Sequence, residues 1–133
     1  MRQGGNMTTA SKKINEKIKA IFLGTVLQLD NMLNVAFDVS ETEDSIITAS
    51  GTIRGVELVI STDGCEIQCK YNLDKEKDAK WQLKVEAIIQ ASSDRPRAIN
   101  AETLERTDWE KIPGITRDFA SSTASFLLIL ANP

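Results

Sequence analysis

The sequence predicts an α+β fold: an antiparallel meander of five or six strands with an N-terminal helix and one or more C-terminal helices packed on one face. Two observations support this prediction. Apolar and polar residues alternate strictly over 65–73 and 81–91, as in strands with one buried and one solvated face. Near the C-terminus, apolar residues instead recur every three or four positions, which is typical of a helix.

Five consecutive strands are predicted in the middle of the chain, joined by short links. Their expected ranges are 33–40, 46–53, 56–61, 65–73 and 81–91. Between the third and fourth, Thr62-Asp63-Gly64 has the composition of a tight turn, because glycine readily adopts a positive φ. The charged residues 74–80 are expected to form a hairpin loop between the last two strands. Links as short as these favour antiparallel neighbours.

The chain of 133 residues is long enough for one domain with one buried core. Residues 1–9 are expected to form a disordered leader, and residues 10–133 a single domain. A helix is predicted over 10–20. The next segment, 21–30, fits either a continued helix or a sixth strand, because its apolar residues recur at both periods.

The C-terminal third changes character after the last predicted strand. Residues 92–97 are expected to form a loop, and residues 101–106 favour a short helix. Pro113 and Gly114 are expected to interrupt the regular secondary structure. Apolar side chains at helical spacing then predict a helix over 115–127.

Composition excludes several classes of function. The formal net charge is −3, and basic residues are interleaved with acidic ones, so no nucleic-acid footprint is present and no nucleic-acid partner is expected. The chain contains no histidine, which excludes Ser-His-Asp and Cys-His catalysis and histidine metal ligands. A non-enzymatic role is therefore favoured over catalysis.

The sequence also bears on the compartment. The apolar run 20–27 is too short to span a membrane and is not followed by a signal-peptide cleavage pattern, so a cytoplasmic location is expected. Cys65 and Cys69 are interpreted as small apolar core residues, with a redox pair as the alternative.

One segment has part of the spacing of a calcium-binding loop. Asp74, Glu76 and Asp78 occupy the first, third and fifth positions of a possible calcium loop. The sixth position is Ala79 where such a loop requires glycine, and the twelfth is Val85 where it requires glutamate. We therefore interpret the segment as a solvated turn and expect neither a metal nor another cofactor.

A longer pattern lies in the C-terminal part of the chain. From Ile112 the sequence reads Ile-Pro-Gly-Ile-Thr-Arg-Asp-Phe-Ala-Ser-Ser-Thr-Ala, and Leu-Leu-Ile-Leu-Ala-Asn-Pro follows from Leu127. With the alternating segment 81–91 before it, this pattern resembles the C-terminal half of the SecB-like export-chaperone family. The resemblance implies a dimer or tetramer of antiparallel sheets that binds unfolded polypeptide on apolar grooves.

Our first functional hypothesis is a non-enzymatic, homo-oligomeric binding module, chaperone-like or adaptor-like, with a protein or peptide client. Its basis is the missing catalytic constellation together with the apolar run 126–130, which must be packed inside the fold or docked to another subunit. The predicted interface residues are Phe119, Phe126, Leu128 and Leu130.

The second hypothesis is a small-ligand-binding or enzymatic domain with a pocket between a curved sheet and a helix. Its candidate wall residues are Phe37, Tyr71, Trp81, Leu83 and Val85. Tyr71 and Asp38 would be its acid/base pair. The simpler alternative is that these aromatic residues only fill the core.

Overall fold

Two layers build the structure: an antiparallel sheet, and helices that cover one of its faces. The computed structural model describes residues 5–42, 46–91 and 99–132. In chain order its elements are α1 (Gly5–Leu33), β1 (Asp38–Glu41), β2 (Ile47–Ile53), β3 (Val56–Thr62), β4 (Glu66–Leu73), α2 (Ala79–Ala91), β5 (Ile99–Asn100), α3 (Ala101–Leu104), a 3₁₀ turn (Trp109–Lys111) and α4 (Ile112–Ala131). The predicted α+β class and the antiparallel sheet are confirmed.

The strands β1 to β4 pair with their neighbours in chain order, and every pair is antiparallel. Along β3, Val56, Leu58 and Ile60 are fully buried, whereas the residues between them are half-buried. Alternate side chains of a strand point to opposite faces, so this pattern identifies one covered face and one solvated face. The helices α1 and α4 provide the cover, since both contact β3.

The predicted count of five or six strands is wrong, because residues 81–91 belong to helix α2. Four strands of four to eight residues form the body of the sheet, and Ile99–Asn100 add only the two-residue β5 beside the start of β4. The segment alternates, but it also fits a helix, since Trp81, Val85 and Ile88 recur at intervals of four and three residues. Its leucine, lysine, glutamine, glutamate and alanine residues also have high helix propensity.

The helix α1 includes the ambiguous segment 21–30, so these residues do not form a sixth strand. Over residues 16–33 its buried side chains repeat every three or four residues: Ile18, Ile21, Phe22, Thr25, Val26 and Leu29. At its end, Asp30 Oδ1 accepts a hydrogen bond from the Phe37 backbone N–H at 3.0 Å. The first strand therefore begins at Asp38, not at the predicted residue 33.

Predictions for the linking segments have mixed outcomes. The prediction of a hairpin loop over 74–80 is wrong, since these residues connect β4 to the helix α2 and do not join two strands. The short helix predicted over 101–106 is confirmed as α3. The loop predicted at 92–97 lies outside the described residues. The same is true of residues 1–4, and the disordered leader expected over 1–9 stays a prediction.

The helix predicted over 115–127 is confirmed by α4, which extends further in both directions. Pro113 does not interrupt the secondary structure but lies in the first turn of α4. A backbone N–H at that position has no partner within the helix, so its absence in proline costs nothing. α4 approaches α1 closely at Gly24, where an added Cβ would lie 2.8 Å from Thr116 Cγ2. The Thr116 hydroxyl donates to the Ile112 carbonyl oxygen at 2.8 Å, which fixes that side chain.

Lys17 on α1 holds the segment between α3 and α4 against the helix layer. Its Nζ donates to the carbonyl oxygens of Leu104 at 3.2 Å and Thr107 at 2.7 Å. The same ammonium group lies 5.9 Å from the centroid of the Trp109 ring, within cation–π range. Lys17 contacts residues that come before α4 in the chain, whereas Gly24, further along α1, approaches Thr116 within α4. The contacts therefore advance in the same direction along both helices, which run side by side and parallel.

We expect Gly24→Ala to destabilise the fold and Gly114→Ala to stabilise it. Each substitution improves helix propensity by up to about 1 kcal/mol. Nothing lies within 4 Å of a Cβ added at Gly114, so this gain is retained there. At Gly24 the new Cβ meets Thr116 Cγ2, and such overpacking costs about 1–3 kcal/mol. Chemical denaturation of both variants measures the difference in the free energy of unfolding.

A third variant tests the cause of the loss. Thr116→Ser in the Gly24→Ala background removes the opposing methyl group but keeps the hydroxyl that donates to Ile112. This double variant should recover most of the lost stability. A Gly24→Ala protein as stable as the Gly114→Ala protein would contradict the close contact between α1 and α4.

Candidate functional site

The candidate site is an open cleft of about 320 Å³ between β4 and α2. One side is formed by Tyr71, Asn72 and Leu73 of β4 and by Lys75 of the following turn, and the other by Gln82, Glu86, Ile89 and Gln90 of α2. Half-buried Tyr71, Leu73 and Ile89 provide the apolar part of the wall. Polar side chains, all exposed except the half-buried Gln82, form the rim. The cleft can therefore hold an apolar group while polar groups around it stay in water.

The position of Tyr71 depends on both layers of the fold. Tyr71 is on the covered face of the sheet, where it pairs across the strands with the fully buried Leu58. Phe126 of α4 packs edge-on against the Tyr71 ring, with centroids 5.1 Å apart and ring planes at 71°. The Tyr71 ring is thus fixed between β4 and α4, and it forms the inner wall of the cleft.

The turn between β4 and α2 fixes the other wall. The Asp74 backbone N–H donates to the carbonyl oxygen of Gly55 in the β2–β3 turn at 2.8 Å. Gln82 Nε2 donates to the carbonyl oxygens of Lys75 at 3.1 Å and Lys77 at 2.7 Å. Because Gln82 is in the first turn of α2, its hydrogen bonds fix the start of this helix relative to β4.

The helix α2 is only lightly packed against the rest of the chain. Val85 is its one buried residue, and Trp81 and Ile88 are half-buried against the core. Leu83 is 67% exposed and lies one turn before Glu86, on the part of α2 that borders the cleft. Leu83 therefore adds one exposed apolar side chain just outside the polar rim.

The structure does not bring the residues of the predicted ligand pocket into one cavity. Of Phe37, Tyr71, Trp81, Leu83 and Val85, the cleft includes Tyr71 alone. Phe37 is buried against Gly51 of β2, and β3 separates it from Tyr71. Trp81 and Val85 face the core side of α2. A ligand role for these residues stays a prediction.

The suggested acid/base pair of Asp38 and Tyr71 is not formed. Asp38 is on β1 and Tyr71 on β4, three strand spacings apart, which corresponds to about 14 Å. Asp38 also pairs with Ser50 on the solvated face, whereas Tyr71 is on the covered face. Direct proton transfer between the two side chains is therefore excluded.

The predicted interface residues occupy different environments. Phe126 and Leu130 are buried in the core of the chain itself, and Phe119 is half-buried against that core. Leu128 is 45% exposed and is next to Ile129, which is 53% exposed. Of the four predicted interface residues, Leu128 alone is exposed in the single chain, and the interface itself stays a prediction.

Sequence reasoning missed the α2 side of the cleft because residues 81–91 were interpreted as a strand. In a strand, Gln82 and Glu86 would be on the face opposite Ile89. At helical spacing the three positions, separated by four and three residues, fall on one face. Helical periodicity within 81–91 was the signal that could have identified these residues together.

Three features from the sequence analysis remain to be located: metal ligands, the two cysteines and membrane-spanning helices. Among residues 5–42, 46–91 and 99–132, no group of three histidine, cysteine, aspartate or glutamate side chains could hold a metal ion. Cys65 is exposed just before β4, so its assignment to the core is wrong, whereas Cys69 is half-buried. In the same ranges, no helix combines the length and apolar character needed to cross a bilayer.

Comparison of the chain with protein-family models, with curated proteins and with solved structures finds no match. The resemblance to the SecB-like family therefore stays a prediction. One part of that resemblance, the alternating strand over 81–91, is a helix in the structure.

We expect the Tyr71–Phe126 contact to be measurable as a coupling energy. In a double-mutant cycle of Tyr71→Leu and Phe126→Leu, the two losses of stability should be non-additive by about 0.5–1.5 kcal/mol. Phe37→Leu combined with Tyr71→Leu provides the control, because β3 separates these residues. That control pair should be additive within about 0.5 kcal/mol in chemical denaturation. Equal coupling in both cycles would contradict the assignment.

Proposed function

We propose that the protein is a non-enzymatic module that binds polypeptide, with an apolar side chain of the client seated in the cleft between β4 and α2. The observation that carries this proposal is the construction of the cleft. Its wall includes the apolar side chains of Tyr71, Leu73 and Ile89, its rim is polar, and it is open to solvent. A polypeptide presents the matching chemistry, since apolar side chains alternate with polar backbone along its length.

The size of the cleft supports a side chain over an enclosed small molecule. Small-molecule sites are typically about 300–1,000 Å³ and bury most of the surface of their ligand. The volume of about 320 Å³ is at the lower limit of this range, and the cleft is open. It has room for a large apolar side chain, and the rest of the client would lie across the rim.

The charges on the rim favour broad recognition. Lys75 and Glu86 bring one positive and one negative charge to opposite sides of the cleft, so neither sign of client charge is rejected. Leu83, beyond the rim on α2, offers a second apolar contact to a client that crosses the helix. Binding would therefore depend mainly on apolar side chains, and it should change little with salt.

The lining of the cleft gives less support to catalysis. The described residues that form it include no serine, threonine or cysteine, and the chain contains no histidine. The common Ser, Thr and Cys nucleophiles with a histidine base therefore cannot be assembled from these lining residues. The sequence resemblance to SecB-like chaperones, which implies an unfolded client, agrees with a binding role.

We expect Ile89→Gln to weaken binding of an unfolded client about tenfold. Burial of a large apolar side chain against the wall is worth about 1.5–3 kcal/mol, and the substitution removes part of it. Fluorescence anisotropy with a labelled, reduced and carboxymethylated protein measures the dissociation constant. Ile129→Gln is the matched control, because Ile129 is 53% exposed on α4, which contributes no residue to the described lining of the cleft.

Two further outcomes separate the hypotheses. Because Ile89 is half-buried, thermal melts must show that both glutamine variants remain folded. Equal loss of binding in the two variants, or no binding by the wild-type protein, would rule out the cleft as a polypeptide site. Stabilisation by small molecules in a thermal-shift screen, lost in Ile89→Gln alone, would support the small-ligand alternative instead.

A further inference from the structure

We infer that a second copy of this chain docks in antiparallel orientation on the outer face of α1. The contact surface consists of Lys19, Leu23, Leu27 and Asp30, here called the α1 outer stripe. This inference does not depend on the proposed function, because the cleft between β4 and α2 contains no α1 residue among those that line it.

The apolar centre of the α1 outer stripe is opposite the core. At about 100° per residue, Leu23 and Leu27 point away from the sheet, whereas Ile18, Phe22 and Leu29 point towards it and are fully buried. Leu23 is 46% exposed and Leu27 is 65% exposed. These two leucines are one turn apart, so they form a continuous apolar ridge on the surface of the helix layer.

The charges at the two ends of the stripe select the partner and its direction. Lys19 precedes the leucines and Asp30 follows them, and helical geometry places both on the same flank. A two-fold axis at the level of Thr25, midway between the leucines, would bring Leu23 against Leu27 of the partner subunit. At 1.5 Å per residue, Lys19 is about 9 Å before this level and Asp30 about 7.5 Å after it.

The same axis therefore brings Lys19 beside the partner's Asp30, and the pair forms twice because the dimer is symmetric. A parallel arrangement would instead place lysine against lysine and aspartate against aspartate. Asp30 is also held in place, since its Oδ1 accepts the Phe37 N–H. A second copy is thus a partner whose apolar ridge and charges both match this surface.

The interface is small, because one helix face contributes most of it. Stable complexes usually bury about 800 Å² on each partner. We therefore expect a reversible dimer whose population rises with protein concentration. Sedimentation velocity of the full chain at low ionic strength, across a range of concentrations, measures its dissociation constant.

The test compares variants of the stripe with matched substitutions elsewhere. Leu27→Glu should weaken the dimer by more than about tenfold, because it places a charge in both copies of the apolar centre. Leu83→Glu, an equally exposed leucine on α2, should leave the dissociation constant unchanged. Leu128→Glu should also leave it unchanged, because α4 is not part of the proposed contact.

A charge exchange tests the antiparallel direction. Lys19→Glu should weaken the dimer about threefold to tenfold, because it faces the partner's Asp30. Adding Asp30→Lys to the same chain should restore the wild-type constant, once a thermal melt shows that the chain is folded without the bond to Phe37. A monomer at all concentrations, a dimer lost in Leu128→Glu but kept in Leu27→Glu, or a folded double variant without recovery would each overturn the inference.

Discussion

The close contact of α1 with α4 is the constraint on which the rest of the structure depends. The two helices are at opposite ends of the chain, and together they cover one face of the four-stranded sheet. Gly24 permits the close approach, because Thr116 occupies the space where another side chain would begin. With α4 fixed at that distance, Phe126 reaches Tyr71 and defines the inner wall of the cleft. The site is thus a consequence of how the helix layer packs.

The two walls of the cleft differ in how firmly they are held. β4 is paired with β3 along its length, and Tyr71 is fixed by Phe126. α2, in contrast, has Val85 as its one buried residue, and its start is held by the hydrogen bonds of Gln82 to two backbone carbonyls. Elements with few buried contacts open at lower free-energy cost than the core does. We therefore expect the α2 wall to move more readily than the β4 wall.

The sequence predicts the sheet better than the site, and the reason is physical. Over 46–62 and 65–73, alternation has one interpretation, because β-branched residues and tight turns agree with it. Over 81–91, the same spacing also places Trp81, Val85 and Ile88 on one helical face, and packing against α4 decides in favour of the helix. Half of the cleft depends on that choice. The other side of the cleft depends on Tyr71, which is fixed by Phe126. These two residues are too distant in sequence for any local pattern to pair them.

The contacts of Lys17 have a consequence for how the protein is made. This residue near the N-terminus finds its partners, the carbonyls of Leu104 and Thr107, only in the last third of the chain. The β strands likewise precede α4, which completes the cover of the sheet. During synthesis on the ribosome they therefore emerge long before α4 has been translated. The nascent chain must keep its apolar sheet face from other molecules throughout that interval. A slow step late in translation would prolong this exposure more than the same delay before β2.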